Sequence, residues 1–442
     1  MLNFLANAVI LFFQGMCFAY IWYEYYSRVI FMPFFRRGNW AVVGMYVLIL
    51  FFFTRVMGGY KVGYLRISDI CLSQLLAILA SNVIGYLQIC MIGRDYMPIG
   101  PIIMITWAEI LFVVPWAYTV RWLFVRLYPP RKMLIIYGKY SPDDLIKKVN
   151  SRRDKYNICG AESIAIGYEE LTKRIPDYEA VVLCDLPAHT RNKILKFCFE
   201  KSIRIYVTPK LSDIIISGSE SIHLFDTPLY LCRNNGFSMD QRIFKRAMDI
   251  IGSLIGIIIL SPFMLLTAVA IKAYDRGPVF FKQARLTQDG REFGIIKFRS
   301  MCIESEKNGA QLAKKHDDRI TPVGRLIRKI HFDEIPQLFN ILKGDMSIVG
   351  PRPERQEIAS QYEEIIPEFR YRLKVKAGLT GYAQVYGKYN TTPYDKLKFD
   401  ITYIENYSLW LDVKIMLLTF KILFQKENTE GVDETQQTAL KD

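Results

Sequence analysis

Apolar positions are not spread evenly along this chain. Four long apolar segments come first, at 2–23, 40–57, 67–92 and 99–123. Each approaches or exceeds the roughly 20 residues a helix needs to span hydrocarbon. The first has no basic leader and no small-residue cleavage site, so it reads as a retained helix and not a removed signal peptide. Aromatics gather at segment ends (Trp22, Tyr23, Tyr25, Tyr26, Trp122, Tyr128), where an interfacial belt belongs. Residues 1–130 therefore predict a four-helix transmembrane bundle.

The pattern changes near Met133. "MLIIYG", "EAVVLCD" and "IRIYVTP" are short continuous apolar runs, the mark of strands buried on both faces. Helical stretches at 142–151 and 190–201 lie between them. The alternation predicts a small doubly wound, Rossmann-like α/β domain over 131–236. A dinucleotide site would want G-x-G-x-x-G after the first strand, but the turn reads "YGKYSPDDL" with Gly138 alone. That argues against a bound nucleotide cofactor and for a packing, regulatory or assembly role.

A fifth apolar run, "IIGSLIGIIILSPFMLLTAVAI" at 250–271, is 22 residues long, about 33 Å as a helix and enough to cross a bilayer. Three features favour entry and return instead. Pro262 has no amide hydrogen, so the carbonyl of Ile258 loses its helical partner; the Ser261 hydroxyl is placed to replace it. A sharp bend at Ser261-Pro262 would split the run into two short helices. Both flanks are basic, with Arg242, Lys245 and Arg246 before it and Lys272, Arg276, Lys282 and Arg285 after, whereas a spanning helix biases charge to one side. Finally, an even number of earlier crossings keeps the α/β domain and the C-terminal region on one face only if the run turns back. The re-entrant segment is set at about 244–272. A Pro-kinked spanning helix is the alternative.

Composition narrows the function. The 442 residues are 51% hydrophobic and 14% aromatic, with a formal charge of +14 and a pI near 9.2. The positive balance implies anionic partners, either lipid headgroups or phosphorylated substrates. No zinc spacing or nucleic-acid motif accompanies it, so nucleic acid is excluded as a partner. Eight scattered cysteines form no CxxC pair and read as free thiols of a reducing compartment. After the fourth segment stand Arg121, Arg126, Arg131 and Lys132, which puts that end in the cytoplasm. Arg28, Arg36 and Arg37 in the first loop fit this orientation less well.

The chemistry concentrates in "RITPVGRLIRKIHFDEIPQLFNILKGDMSIVGPRPE", from Arg319 to Glu354. Asp333 and Glu334 follow Arg325, Arg328 and Lys329, and "GPRP" holds Arg352 between two prolines that stiffen the backbone. "KFRSM" upstream adds Lys297 and Arg299; "KAGLTGYAQVYGK" downstream ends on Lys388. An acidic pair among guanidinium groups suits a hard divalent cation and a phosphate. A carboxylate is also a nucleophile toward phosphorus. The flanking cations should lower the pKa of Asp333 and keep it ionised. An acidic pair capping a helix beside a solvated basic face is the alternative.

These residues resemble the bacterial sugar transferases, the polyprenyl-phosphate phosphoglycosyl transferases. "QAR", "KFRSM", "DEIPQLFNILKGDMSIVGPRPE", "GLTGYAQVYG" and "YSLWLDVKI" match the family's pattern in order and spacing. The whole chain is similar to its large monotopic branch. The resemblance implies a catalytic α/β domain at 237–425, with a polar tail at 426–442. It also implies transfer of a sugar-1-phosphate from a UDP-sugar, by default UDP-glucose or UDP-galactose, to undecaprenyl phosphate, releasing UMP at the inner membrane's cytoplasmic face. By the same resemblance Asp333 forms a covalent phosphosugar intermediate, Asp333 and Glu334 hold Mg2+, and Lys297, Arg299, Arg328, Arg352 and Lys388 contact phosphates. Arg246, Ser261 and Pro262 mark the re-entrant membrane helix. The pathway is exopolysaccharide, capsule or O-antigen synthesis, and the α/β domain is a candidate homodimer surface. Ala377 and Thr287 stand where the family often has Pro and Gly, and Lys388 where many members have Arg, which bears on donor preference. Two rival readings stay open: direct transfer in a ternary complex, and a non-enzymatic scaffold for polysaccharide assembly.

Overall fold

Uninterrupted apolar composition makes the first four segments helical. The computed structural model, describing residues 2–35, 37–138, 141–150, 152, 154–232, 236–302, 319–387 and 391–423, places α1 at Leu2–Ile21, prolonged to Tyr26 by a π-helical turn, and α2 at Arg37–Met57. α3 is Ile67–Gly93 and α4 Gly100–Leu127. α1 packs on α2 and α4, and α3 lies between α2 and α4, enclosing Ile10, Phe18, Trp22, Tyr46 and Ile78. Phe18 stacks on Tyr46 at 3.8 Å. The polarity is inverted relative to a soluble bundle. Gln14, Gln74, Asn82 and Glu109 are buried inside, while Phe12, Met91 and Leu111 face out. That inversion is what a membrane protein requires, since lipid solvates apolar surface and polar groups must find partners within. The Glu109 carboxylate accepts from Tyr46 Oη at 3.0 Å and Asn82 Nδ2 at 2.9 Å.

The α/β domain follows in the same compact unit, Met1–Pro209. Its elements are β1 (Arg131–Tyr137), α5 (Asp143–Asn150), β2 (Tyr156–Ser163), α6 (Tyr168–Arg174), β3 (Ala180–Cys184), α7 (Ala188–Glu200) and β4 (Arg204–Val207). The sheet is parallel with order β2-β1-β3-β4. β1 from Met133 onward and β3 are continuously apolar because both faces are covered there. Leu134, Ile136 and Leu183 enter one core, and Met133, Ile135 and Val182 the other. β2, an edge strand, alternates exposed and half-buried positions; it lacks the continuous apolar run that marks the other strands. A side chain at Gly138 would overlap the Asp185 carbonyl oxygen, so this lone turn glycine serves close strand packing.

The second compact unit is Lys210–Asp442, and it takes in the segment 210–236 ahead of the expected catalytic domain. The reason is that α8 (Leu211–Ser217) buries Leu211 and Ile214 with Phe237, Leu397 and Ile401. A hairpin of β5 (Glu220–Leu224) and β6 (Thr227–Leu231) precedes α9, Met239–Asp275. β7 (Phe280–Leu286) pairs antiparallel with β8 (Glu292–Phe298). α10 (Pro322–Lys329), α11 (Gln337–Lys343), β9 (Ser347–Val349) and α12 (Gln356–Ile365) follow. β10 (Gly378–Thr380) runs parallel to β9. α13 (Tyr382–Tyr386), α14 (Pro393–Glu405) and α15 (Leu409–Leu423) complete the unit. The tail at 426–442 lies outside the described residues.

α9 corrects one expectation. It runs 37 residues without a helical break, Pro262 included, about 55 Å of helix, so the run is not two separate short helices. The physical reason is local: Ser261 Oγ donates to the Ile258 carbonyl at 2.9 Å, satisfying the acceptor that proline orphans. A capping box between Ser238 and Gln241 opens the helix. One face of α9 packs on its own unit from end to end. Near the start, Lys245 pairs with Asp412 at 2.7 Å, and Arg246 donates to the carbonyls of Ile341 and Leu342 at 2.6 and 2.7 Å, capping α11. A Cβ at Gly256 would stand 3.1 Å from Leu338. Farther on, Met264 and Ile271 share a core with Phe298 and Ile327, and Asp275 pairs with Arg299 at the end. The opposite face, including Ile258, Ile259, Phe263 and Leu266, is exposed and apolar.

Candidate active site

The acidic pair sits at a corner. His331, in the left-handed region with φ 55°, ends α10 and swings the chain into a single 3-10 turn, Phe332–Glu334; Pro336 then starts α11. Three separate segments converge there. Lys297, on β8, reaches Glu334 Oε1 at 2.6 Å, and Arg352, from the "GPRP" loop after β9, reaches the same oxygen at 3.1 Å. Arg328, in the last turn of α10, acts electrostatically on Asp333, and its buried Nη1 has no partner among the described residues. A buried guanidinium N–H without an acceptor is what an anionic ligand would complete.

Backbone contacts fix the "GPRP" loop. A Cβ on Gly350 would overlap the Lys376 carbonyl oxygen, so only glycine lets the ends of β9 and β10 approach. Arg372 Nη2 donates to the Arg352 carbonyl at 3.0 Å and pairs with Asp400 at 2.8 Å. Arg285 Nη1 donates to the Pro353 carbonyl at 3.3 Å, and burial pushes its guanidinium down to about 10. Neither arginine stood among the expected site residues. The signal for Arg285 was its place in "QAR"; Arg372 carried none.

The two carboxylates titrate in opposite directions. Burial opposes ionisation of Glu334, but Arg352 and Lys297 outweigh it and hold the carboxyl well below its ordinary range. For Asp333, burial and the charge of Glu334 win over Lys297, Arg328 and His331, and its pKa is raised. This corrects the expected direction. The nearest cations are spent on the neighbouring residue.

Other expected residues are placed as follows. Arg299, 8% exposed, pairs through Nη2 with Asp275 and braces the end of α9, while its buried Nε and Nη1 have no hydrogen-bond partner among the described residues. Lys388 lies outside the described residues. Arg246, Ser261 and Pro262 all lie on α9. Among the described residues no group of three or more His, Cys, Asp or Glu forms a metal cage. The Asp333 carboxylate has no hydrogen-bond partner there, while Glu334 Oε1 already accepts from two cations. One open carboxylate fits a magnesium ion that takes its remaining ligands from substrate phosphate and water.

Residues 240–426 match a family described as "Bacterial sugar transferase". The chain is 41% identical over 237 residues to a UDP-N-acetylgalactosamine-undecaprenyl-phosphate N-acetylgalactosaminephosphotransferase of Aeromonas hydrophila, covering 52% of this chain and 55% of the relative. A UDP-glucose:undecaprenyl-phosphate glucose-1-phosphate transferase of Klebsiella pneumoniae is 41% identical over 209 residues, 46% of this chain and 43% of its own length. One of the same description from Caulobacter vibrioides is 41% identical over 190 residues, 42% of this chain and 71% of the relative. The chain thus spans about half the length of the first two curated relatives.

Proposed function

The chain belongs to the bacterial sugar transferase family, and from that premise we propose that it transfers a sugar-1-phosphate from a UDP-sugar to undecaprenyl phosphate and releases UMP. The observation that carries the reading is the division of labour between adjacent carboxylates. Glu334 is an ion-pair hub that orients Lys297 and Arg352, whereas the Asp333 carboxylate has no hydrogen-bond partner among the described residues and feels Arg328 and Lys297 only through space.

In this proposal an Asp333 oxygen attacks the sugar-bearing phosphorus of the donor. The P–O bond to UMP breaks, and its electron pair leaves with UMP. An oxygen of the lipid phosphate then attacks the same phosphorus, and the Asp333 carboxylate departs. Arg328, Lys297 and Arg352 bind phosphate oxygens and offset the charge that develops. Asp333 and substrate oxygens would hold Mg2+, which when bound supplies charge neutralisation. The donor's negative charge, like burial, disfavours the ionised form of Asp333, and Arg328 and Lys297, with Mg2+ when bound, would offset it.

The membrane arrangement is part of the proposal. α1–α4 cross the bacterial inner membrane, and α9, one continuous helix, rests with its exposed apolar face in the cytoplasmic leaflet so that both of its ends stay on the cytoplasmic side. Support comes from both ends of α9 being held by one folded unit, through Lys245–Asp412 and Asp275–Arg299, with basic residues on both flanks. The α/β domain is the candidate surface for a homodimer.

Purified full-length protein with Mg2+, polyprenyl phosphate and a panel of UDP-glucose, UDP-galactose and UDP-N-acetylgalactosamine should release UMP with at least one donor. With acceptor withheld, the wild type should accumulate a phosphosugar on Asp333 and Asp333→Asn should not. UMP release without any trapped adduct would favour direct ternary transfer, with Asp333 as metal ligand. No release with any donor would favour the scaffold reading. A cysteine introduced beside α10 that reacts with an impermeant reagent in intact cells would contradict the topology.

A further inference from the structure

One large cavity has neither residue of the acidic pair in its lining. About 940 Å³ opens in the first unit where α3 begins, α4 ends and the turn between α5 and β2 meets them. Its charged lining is four arginines, Arg66, Arg121, Arg126 and Arg152, against one carboxylate, Asp154. Asp154 is committed: it pairs with Arg152 at 3.0 Å and with Arg121 at 3.3 Å. Arg152 also donates to the Tyr64 carbonyl at 2.8 Å, and Lys155 lies 3.8 Å over the Tyr64 ring. These contacts fasten the α/β domain to the end of the bundle and leave an excess of three positive charges around a preformed cavity.

The apolar part of the lining says what sort of anion belongs there. Tyr118 and Trp122, 59% and 60% exposed, lie one turn apart on α4, and Arg126 stacks over Trp122 at 5.3 Å. Exposed aromatics beside arginines at the end of a long apolar helix stand at the level of lipid headgroups. The space far exceeds a bare phosphate and has room for a glycerol backbone with the first part of an acyl chain. We propose that this cavity is a binding site for the phosphate headgroup of an anionic membrane phospholipid, gripped by Arg66, Arg121 and Arg126 with its chain laid along Tyr118 and Trp122. Such a lipid would neutralise the arginine cluster that joins the bundle to the α/β domain. The site lies outside the residues proposed for sugar-phosphate transfer.

The test uses full-length protein in nanodiscs of phosphatidylglycerol or of phosphatidylcholine, released into detergent and weighed by native mass spectrometry. One phosphatidylglycerol per chain should be retained, at least tenfold over phosphatidylcholine. Arg66→Gln with Arg126→Gln should lose it, while Arg204→Gln, an exposed arginine on β4, should keep it. UMP release should be unchanged in both. If the glutamine pair fails to fold, the charge-keeping pair Arg66→Lys with Arg126→Lys must still retain lipid. Equal retention of both lipids, no loss in the glutamine pair, or loss in the lysine pair would overturn the proposal. So would displacement by millimolar inorganic phosphate, which would make it a site for a free anion, or preferential retention of polyprenyl phosphate.

Discussion

Replacing Glu334 with glutamine separates the two roles assigned to the acidic pair. The amide keeps an acceptor for Lys297 and Arg352 but removes the charge. A hydrogen bond to a charged group is worth about 1.5–3 kcal/mol and a neutral one about 0.5–1.5, so each pairing loses about 1–1.5 kcal/mol. Glu334 and Lys297 are 14% and 21% exposed, so that share stands nearly whole. Arg352 is 50% exposed, and screening takes about half of its share. The total, about 1.5–2 kcal/mol, corresponds to roughly a 10- to 30-fold fall in kcat/KM at about 1.4 kcal/mol per decade. The sign of the pH effect distinguishes this from plain damage. Ionised Glu334 raises Asp333, so its neutralisation lowers the Asp333 pKa. If Asp333 must be ionised to attack, the rate falls as pH drops through that pKa, and in Glu334→Gln the acid limb should lie at lower pH than in the wild type. UMP release from the responsive UDP-sugar, measured from pH 5 to 9, reads both quantities. An acid limb unmoved or shifted upward would refute the reasoning, as would a loss beyond about 10⁴-fold, which would make Glu334 the reacting group.

Arg372→Met should strand the buried Asp400 carboxylate, which pairs with Arg372 at 2.8 Å, and cost about 3–5 kcal/mol; a thermal melt of the detergent-solubilised protein checks this, and an unchanged midpoint would show the pair to be dispensable. Gly350→Ala should push the "GPRP" loop off the Lys376 carbonyl and lower kcat/KM about 100-fold, the scale of a 1 Å misplacement, with little change in expression. Ser261→Ala should leave the Ile258 carbonyl unpartnered and destabilise α9 by about 1 kcal/mol. Pro262→Ala, which restores an amide donor, should be neutral or stabilising, and the same melt compares the two.

Much of this protein was legible as pattern. Bundle helices, the strands β1, β3 and β4, and the helices between them announce themselves because each is a local solution to burying an apolar stretch in lipid or between two helical layers. β2 was invisible because "YNICGAES" holds no continuous apolar run, whereas β4, the other edge strand, keeps one. The acidic pair and its cations could also be picked out by residue type and order along the chain. Their partnerships could not. Lys297, Glu334 and Arg352 are separated by 37 and 18 positions, and nothing local tells which oxygen meets which cation. Counting nearby charges along the chain therefore put a depressed pKa on Asp333. Folding gives the cations to Glu334 and buries Asp333, because desolvation and Coulomb energy depend on distance through space. The same holds for Arg299, drawn to Asp275 at the end of α9, and for Arg372, whose role arises where the "GPRP" loop passes over α14.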